Sequence, residues 1–163
     1  MLSIACHSSI EHLVQEEVAG PLHMDDITFH GTDGLIPGYA ANAETSHWDD
    51  YLIGAGGLRA SINDLARWLL ANLEPRHTKI GPALELAQEV HHDAGERMGL
   101  GWLHEGTILR HNGGTGGFHS FCGFERASGV GVAVLTNRFG GDATDAAALR
   151  FLSTGGTRTA TRA

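Results

Sequence analysis

The chain has 163 residues, 42% of them hydrophobic and 18% charged, and a formal net charge of −8. That length holds one domain with a real core and is short for two, and the apolar content excludes a disordered chain. The acidic balance, with no lysine- or arginine-rich run, argues against a nucleic-acid partner, and no apolar run approaches the ~18 residues of a membrane helix.

In chain order, Ser8 and Glu11 stand at capping-box spacing and open a predicted first helix. Ile10, Leu13, Val14 and Val18 fall on one face of it, and Gly20-Pro21 is its expected end. Residues 25–55 carry Gly, Pro, Asn, Asp and Ser without period, which predicts a long loop with a short strand near 27–29. Ser61 and Asp64 cap a second helix built on Ile62, Leu65, Ala66, Leu69, Leu70 and Leu73 and ended by Pro75. A third helix is expected from about 82 to 92, stopped at Gly95.

The period then shortens to two. Residues 98–104 and 107–111 predict a hairpin turned at Glu105-Gly106, and 117–125 with 130–136 predict another turned at 127–129. Residues 142–153 predict a closing amphipathic helix with Leu149 and Leu152 inward, and 155–163 an unstructured tail. Helices, then an antiparallel meander, then a helix make an α+β class, with 1–154 as its folded portion.

Cys6 and Cys122 form no CxxC pair, and they read as buried free thiols, with a disulfide as the alternative. Eleven histidines raise the question of a metal, but no HxxxH, HExxH or Cys/His spacing occurs, so no metal or cofactor is expected. His119 and Ser120 are adjacent and point to opposite sides of a strand, which is poor geometry for a catalytic pair. Trp48, Trp68 and Trp102 read as core or pocket-wall residues. The opening MLSIACHSS has neither a basic n-region nor a long apolar stretch, so it is not expected to be a secretory signal.

One segment demands more. Residues 111–120 read HNGGTGGFHS, and a valine-rich strand ending in Thr-Asn follows at 130–137. With GGLRASINDLARWLLANL upstream and GLGW between, this resembles the serine β-lactamase and penicillin-binding-protein superfamily, most of all class C β-lactamases and related esterases and D-amino-acid peptidases. The resemblance runs roughly from Ser8 to Leu152 and implies an incomplete β-lactamase/transpeptidase-like fold. In that superfamily a K-T-G motif lies on a strand lining the active site. His111-Asn112-Gly113 occupies the matching positions here. The resemblance thus implies a catalytic role for His111 and a substrate-binding role for Asn112, Gly113, Gly114 and Thr115. Gly113 would let substrate lie against the strand, and the Gly114 N–H would donate to an oxyanion. A histidine, only partly cationic near neutrality, in place of lysine implies ester or amide hydrolysis rather than antibiotic resistance.

The superfamily's nucleophile is missing from the sequence. No serine has a lysine three residues on, and Lys79 is the sole lysine. Tyr-x-Asn does not occur. The resemblance places the first helix just beyond the tyrosine motif, so the chain corresponds to the back part of a longer hydrolase and is expected to be inactive alone. The partners it implies are a small ester, amide or β-lactam, with a complementary N-terminal fragment or self-association. A non-catalytic binding or assembly role is the alternative. An apolar surface larger than a monomer normally shows is also expected, because the nucleophile helix would have covered it.

Overall fold

The computed structural model describes residues 2–29, 34–45 and 53–156. A short helix α1 (Leu2–Ala5) precedes α2 (Ile10–Val14), a π-helical turn (Gln15–Ala19) and α3 (Gly20–Leu22), which run on as one element. A small hairpin follows, β1 (Gly38–Ala40) and β2 (Ala43–Thr45). Then come α4 (Ile53–Gly56), α5 (Ile62–Leu73), a 3₁₀ turn (Pro75–His77) and α6 (Gly81–Gln88). The six strands of the main sheet are β3 (His92–Ala94), β4 (Glu96–Met98), β5 (Leu103–Glu105), β6 (Ile108–Thr115), β7 (Phe118–Glu125) and β8 (Val130–Thr136), and α7 (Asp142–Ser153) closes the chain of elements. Every neighbouring pair of strands is antiparallel and the spatial order is the chain order, so the expected α+β meander is present.

Residues opposite one another across an antiparallel ladder share a face. Leu109, His111, Gly113 and Thr115 therefore share a face with Phe118, Ser120, Cys122 and Phe124, and with Gly131, Ala133 and Leu135. This is the α5 face: Leu69 packs there with Trp102, Leu109 and Phe124. Trp102 stacks on Trp68 at 6.4 Å and meets Phe124 edge-on at 5.0 Å. The other face receives α7, where Ala148 and Leu152 bury Ile108 and Phe121 against Val130, Val132 and Val134. Each fully buried phenylalanine contributes roughly 1.5–3 kcal/mol, so Phe121 and Phe124 anchor one core each. A third cluster, Ala19, Leu22, Met24, Ala71 and Leu84, joins α3 and the π turn to α5 and α6.

Local departures from expectation have physical causes. The first helix is capped by Ser9, whose Oγ accepts from the His12 N–H at 3.1 Å, one residue after Ser8. It also passes through Gly20-Pro21. The π turn widens the ladder, the Gly20 N–H donates to Gln15 O, and Pro21 enters where no donor is needed. His23, left-handed at φ 56°, is the actual stop. Helix α5 forms as expected, with Ser61 Oγ accepting from the Asp64 N–H at 3.2 Å. Asp64 is fully buried, where it accepts from the Asp26 N–H and from Arg67. Helix α6 stops at Gln88, because 92–94 fold back as β3 onto β4 around Gly95. The expected strand over 98–104 is broken. Leu100 N–H donates to Ala87 O at 2.8 Å, and a Cβ on Gly99 would lie 2.3 Å from that same oxygen. Within the expected loop, Thr28 bridges Arg59, and β1–β2 turns through Ala41 and Asn42, both at positive φ. Trp48 and the tail from 157 onward lie outside the described residues.

The buried polar joint between α5, α6 and β5 carries a pH dependence. Gln88 donates to the Asn72 carbonyl and side-chain oxygens at 3.1 and 2.8 Å. His104 lies beside Gln88, and its Nε2 is buried with no partner among the described residues. Desolvation first, then the Arg97 charge, lowers its pKa below 6.5, against a backbone hydrogen bond at Gln88 that raises it. The unfolded chain takes up that proton first, so the contribution of neutral His104 is intact above about pH 6.5 and is lost as pH falls below it. Urea unfolding at about pH 7.5 and about pH 5.5 should show a smaller acid loss in His104→Gln than in the parent. Equal losses would remove His104 from the acid response.

Candidate functional site

Strand β6, eight residues long between β5 and β7, is built for alternation. Its register with β7 runs from Ile108↔Glu125 to Thr115↔Phe118, closed by the two-residue turn Gly116-Gly117. Gly116 has φ 47°, the left-handed first position that a II′ hairpin turn requires. Across such a turn Thr115 and Phe118 form the hydrogen-bonded pair, and the pattern alternates from there. The Glu105–Ile108 turn fixes the same phase independently. Backbone groups of Asn112 and Gly114 thus point to the β5 side. Strand β5 ends at Leu103, opposite Arg110, so it does not reach them.

The side chains divide in two. His111 and Gly113 are exposed on the α5 face, and Thr115 is half-buried there beside Phe118. Helix α5 covers the sheet only lower down, over Gly131, where Leu69 and Leu73 lie. Gly113 faces Ser120, and a Cβ built on it would sit 3.8 Å from Ser120 Oγ, an ordinary contact. Nothing in the fold therefore demands glycine at 113. Its neighbour Gly117 is different: a Cβ there would fall 2.1 Å from the backbone of Gly38 and Tyr39. The β1–β2 hairpin docks at that point, with the Tyr39 N–H shared between Gly117 O at 3.0 Å and Asn137 O at 2.9 Å. The glycine density of 113–117 thus has separate causes, a turn, a backbone crossing and an open strand face.

Asn112 takes the opposite side. Its amide donates to Asp145 Oδ2, and His119 Nε2 meets Asp145 Oδ1 at 2.7 Å. The Asp145 and His119 side chains are 14% and 9% exposed, so the contact is shielded from water. The α7 N-terminus closes over it: a Cβ on Gly141 would lie 1.9 Å from His119 Nε2. This lock joins β6, β7 and α7 and leaves the Asn112 side chain turned away from His111 and Gly113. Asp145 gave no signal in the sequence, since one acidic residue in a first helical turn is ordinary.

The remaining candidates are quiet. Burial pushes the Cys122 thiol up to about 12, so it is protonated and a poor nucleophile. Cys6 is exposed rather than buried, and both cysteines are free. Among the described residues no group of three His, Cys, Asp or Glu is placed to hold a metal ion, and no helix is long and apolar enough to cross a membrane. A cavity of about 400 Å³ is lined by Ser9, His12, Gln15, Ile27 and Phe29, with nothing from β6–β8.

Comparison with curated proteins finds no match. The family model for Beta-lactamase matches residues 5–154, which span α2 through α7 and include the whole of the main sheet. A match of that extent, over a fold whose β6 exposes a His-x-Gly strand between two helical layers, settles the family: this chain belongs to the β-lactamase family.

Proposed function

We propose that this chain supplies one wall of a serine-hydrolase acyl-transfer site, for a small ester, amide or β-lactam, and does not turn over substrate by itself. The observation that carries the reading is β6. It presents His111 and Gly113 on an open face and turns the Gly114 N–H outward past the end of β5. A carbonyl lying along that edge would have Gly113 beneath it and the Gly114 N–H aimed at its oxygen, the arrangement that stabilises a tetrahedral oxyanion. His111 stands one turn of the pleat away, positioned to hold a substrate carboxylate or to exchange a proton with the reacting centre. Thr115 lines the far end. Asn112 acts behind the strand, through Asp145, to hold β6 against α7.

Chemistry needs a nucleophile, and no Ser-x-x-Lys exists in the sequence. Ser120 faces Gly113 and shares that face with His111, but among the described residues no hydrogen bond joins the two, and Cys122 is held protonated. On this reading the serine and its lysine base lie outside these 163 residues.

The test is intact mass after incubation with p-nitrophenyl acetate and, separately, with a β-lactam, on a sample shown to be folded by circular dichroism. The expected result is no adduct on this chain. A stoichiometric adduct overturns the reading and, by peptide mapping, names the nucleophile that the sequence hides.

A further inference from the structure

Five asparagines occur in the chain, and only Asn112 is followed by glycine. In an Asn-Gly pair the backbone nitrogen of the glycine can attack the asparagine side-chain carbonyl, because no Cβ on the second residue obstructs the approach. The other four are followed by Ala43, Asp64, Leu73 and Arg138, whose side chains hinder it. The fold does not require the glycine, since a Cβ at 113 would meet only Ser120 Oγ at 3.8 Å. A chemically labile pair therefore stands in the middle of β6 with no structural need for its second residue.

Three restraints hold the pair unreactive in the folded chain. The extended backbone of β6 keeps Asn112 away from the turned ψ that ring closure needs. Gly113 and Ser120 form a hydrogen-bonded pair, in the phase set at Thr115 and Phe118, so the attacking nitrogen keeps its proton in a bond to β7. The third restraint is tertiary: the Asn112 amide nitrogen, which would be the leaving group, donates to Asp145 Oδ2. Asp145 is in turn fixed by His119 at 2.7 Å, and both of these side chains are shielded from water. Opening the Asn112–Asp145 contact frees the half-buried amide to swing toward the Gly113 nitrogen.

We propose that Asn112-Gly113 is a site of spontaneous covalent modification, deamidation through a cyclic imide, and that Asp145 is its latch. Hydroxide removes the Gly113 N–H proton, the nitrogen bonds to Asn112 Cγ, and the bond from Cγ to the side-chain nitrogen breaks, releasing ammonia. Water then opens the imide at either carbonyl. It leaves an aspartate, or an isoaspartate whose chain runs on through the side chain. The product cannot close the latch. A donor amide has become an acceptor carboxylate facing Asp145, and two shielded carboxylates repel. The isoaspartyl form also adds a backbone atom to β6, which moves Gly113 and Gly114 out of register with Ser120 and His119. The change is one-way, so it records how often the latch has opened. It needs no substrate and stands apart from the acyl-transfer reading.

The experiment holds the full chain in mildly alkaline buffer, well below its Tm, and follows each asparagine by peptide mass, with circular dichroism to show that the samples are folded. Asn112 should be the first asparagine to deamidate, at least ~10-fold more slowly in the folded chain than in urea. Asp145→Leu should speed the folded reaction at least ~10-fold. Gly117→Ala, which destabilises the chain elsewhere, should speed it less than ~3-fold, because local opening rather than global unfolding sets the rate. Gly113→Ala keeps the latch and should slow the reaction at least ~10-fold even in urea. Asn112→Asp should unfold in less urea than Asn112→Ala, since a carboxylate repels Asp145 where a methyl only leaves it unmet. That comparison decides the latch where Asp145→Leu does not fold. An unchanged Asn112 in urea, another asparagine reacting first in the folded chain, equal acceleration by Asp145→Leu and Gly117→Ala, or an Asn112→Asp protein as stable as Asn112→Ala overturns the proposal.

Discussion

Asp145→Leu should lower the unfolding free energy by about 3 kcal/mol. Asp145 receives Asn112 from β6 and His119 from β7, and sits in the first turn of α7. Removing it leaves a buried imidazole and a half-buried amide without their partner. The loss corresponds to a fall in Tm of roughly 6–12 °C for a domain of this size. Asn112→Ala should cost less, about 1 kcal/mol, because Asp145 keeps His119. The pair of changes should not add, since they share one carboxylate. Urea unfolding of the two single variants and the double variant measures all of this. A loss below about 0.5 kcal/mol for Asp145→Leu would mean that the lock orders the strand without stabilising it.

The lock also marks where sequence reading stops. Strand β8 and helix α7 were legible to the residue, because Val130–Thr136 is an unbroken apolar run and 142–153 has helical period. Helix α5 was legible for the same reason, with Ser61 as a cap that is satisfied locally. The errors fall where tertiary contacts override local pattern. Pro21 reads as a stop, but a π turn moves the carbonyl it would strike. Residues 89–92 read as the end of a helix that stops at Gln88, because backbone pairing with β4 captures the chain from His92. The β1–β2 hairpin was invisible, since Ala41 has no turn preference and only docking against Gly117 and Asn137 holds it there. At the site, alternation alone separates Asn112 from His111 and Gly113. The partner that makes the separation matter, Asp145, is 33 residues away. The motif, by contrast, was legible as a block, because Gly116 and Gly117 are tied to backbone geometry, and geometry of that kind leaves a mark in composition.

Gly113→Ala and Gly117→Ala should behave as opposites, though both are glycines of one hairpin. At Gly117 the new Cβ would lie 2.1 Å from backbone atoms of Gly38 and Tyr39. Backbone cannot yield as a flexible side chain can, so the β1–β2 hairpin must lift. It would take with it the Tyr39 bonds to Gly117 and Asn137 and the Phe139 N–H bond to Tyr39 O at 2.8 Å. Overpacking and lost hydrogen bonds together amount to about 3 kcal/mol. At Gly113 the new Cβ meets only Ser120 Oγ at 3.8 Å, on an exposed strand face. Alanine also loses less backbone entropy than glycine, so stability should hold or rise by roughly 0.5 kcal/mol. Thermal and urea unfolding of the two variants reads the contrast directly, and equal losses would show that the open face at 113 is closed in solution. The acyl-transfer reading adds a second contrast, in the opposite sense. A methyl at 113 occupies the place where a substrate carbonyl would lie, so Gly113→Ala should cut acylation by about 100-fold in a form of the protein that carries the serine. A position where alanine leaves the fold untouched and removes the chemistry is one where glycine is kept for a ligand, whereas at 117 it is kept for the chain itself.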